Sequence, residues 1–208
     1  MNELALSLAS LTRHWPEARH SLVDGMAATS AAVFAKYGIA TAPEAADFMA
    51  QISEETGGGT VIEENLNYTA ARLCQVWPSR FPTLAAALPF SHNPHALADR
   101  VYGNLYGNRA GTDDGYNFRG RSGIQITFRD WYAKISSVTG LDLVSTPDLA
   151  NDPQHFLECS AAFWKLDGVN VFADSGNFIR EVERVNGGLV NLPARLQWRA
   201  IWRHEFGL

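Results

Sequence analysis

The run from Thr41-Ala-Pro-Glu44 to Gly57-Gly-Gly59 fixes both ends of one helix before the rest of the chain is considered. Threonine followed three residues later by glutamate is a capping box, in which each side chain satisfies a backbone N–H of the first turn, and Pro43 is tolerated there because its missing N–H would have no helical partner. Ala45, Phe48, Met49 and Ile52 then recur at helical spacing. Three successive glycines lose too much backbone freedom to prolong a helix, so Gly57 is the expected stop. The last turn carries Glu54 and Glu55, and Glu63 and Glu64 follow just beyond the glycines, in S-E-E-T-G-G-G-T-V-I-E-E-N-L-N-Y (53–68).

Further helices are read around this one. Leu4, Leu6, Leu8 and Leu11 predict a first short helix stopped by Pro16. Residues 17–37 place Leu22, Met26, Val33 and Tyr37 on one stripe that Thr29 interrupts, with Gly38 as the terminating residue. Residues 68–77, 94–101, 129–138, 153–166, 178–185 and 192–206 read as helices, several closed by Pro or Gly. Between Tyr102 and Gly123 the composition turns to glycine, asparagine, aspartate and aromatics, a long irregular surface of the kind that usually serves function. Ile124 to Thr127 could pair as a short strand. The fold class expected is mostly α: a helical single lobe of 208 residues, its N-terminal segment (residues 1–40) packed on the core 41–208, with a long loop system and at most a short β-hairpin lining a cleft. No separate binding domain, linker or repeat is evident.

Composition removes several classes of function. With 46% apolar and 19% charged residues the chain is globular, and its net charge of −5 argues against nucleic acid as a partner. The N-terminal apolar run is short, broken by serines and lacks a basic flank, so neither a signal peptide nor stable membrane insertion is expected. Cys74 and Cys159 are too few for a disulfide framework; they are read as two buried free thiols or as one bridge. His92-Asn-Pro-His95 has no third ligand nearby, and Asp113-Asp114 lacks the alternating oxygens of a calcium loop, so no metal and no cofactor is expected.

The glutamates carry the chemistry. A carboxylate at a helix C-terminus faces the negative end of the dipole, which favours its protonated form, as a general acid requires. Glu64, nine residues beyond Glu55 and past the glycine bend, would face it across a groove. Two carboxylates separated by a water are the equipment of inverting glycoside hydrolysis; a solvated helix end would hold the same residues. Asn67 and Tyr68 suit sugar hydroxyls and stacking, or a plain turn and a core tyrosine. Arg119 and Arg121, two apart on an extended segment, project to one side, and Gln125 and Thr127 share a face from which a hydroxyl could hold a water.

Taken together, E-E-T-G-G-G, E-E-N-L-N-Y-T-A, D-G-Y-N-F-R-G-R-S-G-I-Q-I-T and V-N-G-G-L resemble, in order and spacing, the family 19 glycoside hydrolases from about Ala45 to Arg195. W-P-S-R-F and V-Y-G-N-L-Y-G-N are similar to the phage endolysin branch rather than to plant chitinases. The resemblance implies a lysozyme-like lobe that cleaves β-1,4 bonds between amino sugars with inversion. By motif position Glu55 matches the general acid, Glu64 the general base and Thr127 the hydroxyl beside the attacking water. Gln125 lies alongside, Asn186 matches a substrate-side amide, and Arg121 and Arg195 match arginines that steady the carboxylates. Tyr68, Asn67 and Tyr116 are implied sugar contacts. The chain departs from the pattern in having Glu54 where histidine is usual, Phe128 and Trp131 where glycine and asparagine are common, and Ser122-Gly123 in the arginine-glycine run; Trp131 could supply stacking in place of the amide. The branch implies a monomeric endolysin or lysozyme that is made in the bacterial cytoplasm, reaches peptidoglycan glycan strands after membrane permeabilisation and lyses the cell. A chitinase and an inactive glycan-binding module are the alternatives.

Overall fold

The structure, a computed structural model, describes residues 4–208 and is built almost wholly of helices. In chain order these are α1 (Leu8–His14), α2 (His20–Tyr37), α3 (Ala42–Thr56), α4 (Ala70–Val76), α5 (Leu84–Ala87), α6 (Pro94–Tyr102), α7 (Asp114–Asn117), α8 (Arg129–Thr139), α9 (Phe156–Leu166), α10 (Asn170–Asp174), α11 (Phe178–Asn186) and α12 (Leu192–Glu205). Short 3-10 turns lie at Leu88–Phe90 and Pro147–Asn151. The mostly α, lysozyme-like reading is borne out. No described helix is long and apolar enough to cross a membrane.

Helix α3 begins and ends where its sequence dictates. Thr41 accepts the Glu44 N–H, and the Glu44 carboxylate accepts the Thr41 N–H. Gly57, Gly58 and Gly59 have φ of 55°, 65° and 78°, a left-handed run open to glycine at little cost. A Cβ on Gly59 would lie 2.6 Å from the Trp15 ring. The bend is thus pressed against α1, and the Trp15 and Trp202 indole N–H groups both donate to Ser53 Oγ beneath it. Helix α12 packs along α3, α2 packs on α9 and α1 on α2, which seats the N-terminal helices on the rest.

Apolar burial falls into two clusters. The larger joins α1, α2, α3, α8, α9, α11 and α12 through residues such as Trp15, Phe48, Tyr132, Trp164 and Trp202. The smaller holds Leu66, Ala70, Leu73, Phe81, Ala87, Leu97, Ala98 and Val101. Ile62 belongs to the larger and Leu66 to the smaller, so the chain crosses between them while carrying Glu63 and Glu64. It returns between Tyr116, against the smaller, and Phe118, in the larger.

Several local expectations are corrected. The first helix starts at Leu8 rather than Leu4, because Ser7 caps it by accepting the Ser10 N–H; Leu6 is buried from an extended segment. Helix α2 starts at His20, α4 at Ala70 behind the Thr69 cap, and α9 at Phe156. The strand read at 124–127 reduces to isolated bridges, Glu63 with Arg121 and Arg121 with Ile126, because Ser122 and Gln125 take φ of 67° and 53° and break the extended run. Both cysteines are free, but only Cys159 is buried, where burial pushes its thiol up to about 12; Cys74 is half-exposed.

Two stability predictions arise here. A Cβ on Gly25 would stand 2.1 Å from the Pro153 carbonyl oxygen, a backbone contact that no side-chain motion relieves. Gly25→Ala should therefore destabilise despite alanine's higher helix propensity, lowering the melting temperature by about 5 °C for an overpacking cost near 2 kcal/mol. Within the same helix the Thr29 hydroxyl donates back to Gly25 O at 2.8 Å. Secondly, Glu181 on α11 is fully buried beside Arg199 and against Asp47, whose carboxylate can accept a hydrogen bond from its protonated carboxyl. Burial first, then the Asp47 charge, pushes its pKa up to about 9. The folded state therefore binds this proton more tightly than the unfolded state does. Its stabilisation is full below the ordinary value of 4.5 and drains away as pH rises to about 9. Thermal melts at about pH 5 and pH 8 should show wild type losing stability that Glu181→Gln keeps; parallel losses would contradict this.

Candidate active site

Helix α3 ends with Glu55 one residue before its last turn closes at Thr56. Its Oε1 accepts the Arg195 Nη2 at 2.5 Å. Arg195, only 2% exposed, also donates Nη1 to Gln51 Oε1 at 2.6 Å and Nε to Val190 O at 3.2 Å. One guanidinium thus spans two side chains four residues apart on one face of α3, and planar charge-assisted bonds of this kind fix direction as well as distance. Among the described residues Oε2 of Glu55 has no hydrogen bond and is free to meet a substrate.

Glu64 is held on both oxygens. Oε1 accepts the Tyr102 hydroxyl at 2.5 Å and Oε2 the Gly120 N–H at 3.1 Å, while the Glu64 N–H donates to Gly120 O at 2.8 Å. Burial, followed by the charge of Glu64, raises the Tyr102 phenol far above its ordinary range, so it stays a donor. A Cβ on Gly120 would lie 2.4 Å from Gln125 Oε1, a contact relieved only if that amide moves, and 3.3 Å from Glu64 Cβ. That places the Gln125 amide beside Glu64. Thr127 donates its hydroxyl to Gln125 O at 2.8 Å, leaving its oxygen lone pairs for a water O–H.

Glu63 anchors the crossing instead. Arg119 Nη2 reaches its Oε1 at 2.5 Å and Arg121 Nε its Oε2 at 3.2 Å. Arg121 continues to Asp148 Oδ1 at 2.7 Å and donates to the Tyr132 hydroxyl at 3.1 Å. The two arginines do share a side, as their spacing implied, and their partner is the glutamate adjacent to Glu64. A cavity of about 200 Å³ is lined by Glu63, Glu64, Asn67, Pro94, Tyr116 and Arg119. A larger one of about 500 Å³ opens on the other side of Glu63, with Arg19, Asp148, Asn151 and Asp152.

The remaining expected residues distribute unevenly. Asn67 reaches the groove, its amide oxygen bonded to His92 Nδ1 at 2.8 Å. Tyr116 lines it too, but His95 stacks on its ring at 3.8 Å and the Arg119 guanidinium lies 4.0 Å from it, so the ring is already engaged and its edge is what remains. Tyr68 packs edge-on to Trp77 at 5.5 Å against the smaller cluster. Trp131 is half-buried at the edge of the larger cluster, its indole tilted against Phe163 at 4.4 Å with Lys134 Nζ 4.8 Å from its ring. Asn186 closes α11 and makes only a long bond, 3.5 Å, to Gly188 O, so its amide is uncommitted. His92 and His95 bond Asn67 and Asp113 respectively.

Sequence reasoning missed Tyr102 and Gln51. Gln51 was legible as the residue one turn before Glu55 on the same face. Tyr102 had no local signal, since a tyrosine ending a short amphipathic helix reads as core. Two positions that depart from the glycine pattern also prove instructive. Ser122 adopts a φ of 67°, repaid by bonds to Asn151, Phe156 and Ser160. Phe128 adopts φ 73° and ψ 145° with backbone bonds alone around it, its N–H donating to Phe118 O at 2.8 Å, in a conformation that costs a non-glycine residue about 1–3 kcal/mol.

No protein-family model matches the chain. A Haemophilus influenzae glycosyl hydrolase family 19 domain-containing protein is 31% identical over 181 residues, 86% of this chain and 88% of that protein. An Arabidopsis thaliana endochitinase is 36% identical over 95 residues, 44% of this chain and 33% of that one. Among solved structures, a bacterial family 19 chitinase covers 99% of this chain and 96% of its own at a TM-score of 0.64 and 17% identity. Chitinase C from Streptomyces griseus covers 99% and 76% at 0.56 and 19%. These structures share the fold. The identity and coverage of the Haemophilus protein settle the rest: the chain belongs to glycosyl hydrolase family 19 and is a glycoside hydrolase.

Proposed function

We propose that the chain is a muramidase-type endolysin that hydrolyses the β-1,4 bond between N-acetylmuramic acid and N-acetylglucosamine in peptidoglycan, with inversion. Glu55 protonates the leaving oxygen, and Glu64 takes a proton from the attacking water, which Thr127 and Gln125 help to place. Arg195 orients the acid and Tyr102 the base. Asn67, Tyr116 and Asn186 meet the sugars. The observation that carries this reading is that two carboxylates are each held by their own donors, an arginine for Glu55, a phenol and a backbone N–H for Glu64, with acid and base then assigned by motif position.

Peptidoglycan as the substrate is supported by the likeness of 77–81 and 101–108 to endolysins and by the charge beside the groove. Arg19, Asp148 and Asp152 line the cavity next to Glu63, so charged groups of both signs are at hand for the carboxylates and amines of a peptide stem. The chain acts as a monomer on wall reached from the cytoplasm after membrane permeabilisation. Chitin is the second reading, favoured by the chitinases of like fold and by the plant relative. Mass analysis after digestion of purified peptidoglycan and of chitin hexasaccharide separates the two. Reducing-end N-acetylmuramic acid, without its anhydro form, is expected. Cleaved hexasaccharide beside untouched peptidoglycan would establish the chitinase instead.

A further inference from the structure

Phe128 stands in a backbone conformation that glycine takes without strain, so its aromatic side chain needs a reason to be there. Its ring meets Tyr102 edge-on at 5.3 Å and Tyr106 at 4.8 Å. Tyr102 is the residue whose hydroxyl donates to Glu64 Oε1 at 2.5 Å. The backbone around Phe128 ties the same residues together. Phe128 offers α8 no side-chain cap, and the open N–H groups of its first turn go elsewhere: Arg129 N–H to Asn108 Oδ1 at 2.9 Å and Asp130 N–H to Tyr106 O at 3.1 Å. Asn108 in turn donates Nδ2 to Tyr102 O at 3.0 Å. The loop 102–108 is thereby fastened to the start of α8, and the Phe128 ring fills the angle between them. Removing the ring leaves the fastening but frees the Tyr102 ring on the side away from the small cluster.

We propose that Phe128 is a positioning residue for hydrolysis: its ring holds the Tyr102 phenol against Glu64 and so keeps the base oriented. The proposal rests on Glu64 being the base. It predicts a loss carried entirely through the Tyr102 hydroxyl, which a double-mutant cycle isolates. Wild type, Phe128→Gly, Tyr102→Phe and the double variant are assayed on purified peptidoglycan and on chitin hexasaccharide, with Glu64→Gln as reference.

Phe128→Gly should lower kcat about 5-fold with KM within about 2-fold, and Tyr102→Phe about 10-fold, the scale of losing a hydrogen bond to a charged group. The double variant should be no slower than Tyr102→Phe alone, and Phe128→Tyr, which keeps the ring, should stay near wild type. Losses that multiply in the double variant, or a KM effect with kcat unchanged, would overturn the proposal, because a general loosening of the groove behaves that way. If Phe128→Gly melts too low to assay, Phe128→Leu, which keeps bulk but no ring, takes its place in the cycle with the same expectation. Activity retained by Glu64→Gln would defeat the base assignment itself, an outcome distinct from failure of the cycle.

Discussion

Glu55→Gln and Glu64→Gln should each lower kcat by about a thousandfold, within the range that a positioned acid or base contributes, while thermal melts shift by only a few degrees. The small stability change follows from the geometry. A carboxamide oxygen at 55 still accepts from Arg195, and one at 64 still accepts from Tyr102, so shape and most hydrogen bonds persist while the transferable proton or the proton acceptor is lost. The pair discriminates because Glu54 and Glu63 are controls in the same segment. Glu54→Gln should leave kcat within about threefold, since no described side chain bonds Glu54, and near-neutral positions of that sort contribute little. Glu63→Gln should weaken the crossing more than the chemistry, because its partners are Arg119, Arg121 and Asn151. Initial rates and melting curves on the four variants decide it: a Glu55→Gln or Glu64→Gln enzyme with more than about a tenth of wild-type activity ends the assignment.

Arg195→Met should cost both stability and rate. The guanidinium is buried and spans Gln51, Glu55 and the Val190 carbonyl, so an apolar replacement strands one carboxylate and one amide at once. Breaking a buried pair by removing one partner typically costs about 3–5 kcal/mol, and the lower end applies because Glu55 keeps some exposure. For a chain of this size that is about 9 °C in melting temperature. Arg195→Lys should recover part of the stability but less of the rate, since an ammonium lacks the planar fork that reaches two residues of α3 together. Equal rates for wild type and Arg195→Lys would show that Glu55 does not depend on directional support.

The helix frame was legible because its punctuation is local. Thr41, Gly57, Gly38, Gly140 and Gly187 each mark an end that the structure keeps, as caps and left-handed glycines act within a few residues. The starts at Leu8 and His20 were missed because an apolar stripe does not say which polar residue will cap it. Residues 124–127 look like a strand in composition, yet Ser122 and Gln125 leave the extended region to bring a side chain beside Gly120. For the candidate site, motif position picks out Glu55, Glu64 and Arg195, and the structure joins Arg195 to Glu55. The Arg195 to Glu55 pairing is separated by 140 residues and Tyr102 to Glu64 by 38, and no periodicity encodes contacts of that range.

The division of the apolar interior has an evolutionary corollary. Helices α4 to α7 and the turn at Leu88–Phe90 contact chiefly one another, and the chain enters and leaves that group at two narrow points, 62–66 and 116–118. The segment between them behaves as an insert hung on a helical chassis whose own integrity lies in α3 and α12. Loops within it could therefore change length without touching the Arg195–Glu55 pair, whereas Tyr102, Tyr106 and Asn108 stay tied to Glu64 and to the start of α8. Because Asn67, Pro94 and Tyr116 come from it, changes confined to that segment would reshape one wall of the groove beside Glu64 and leave the Arg195–Glu55 pair in place.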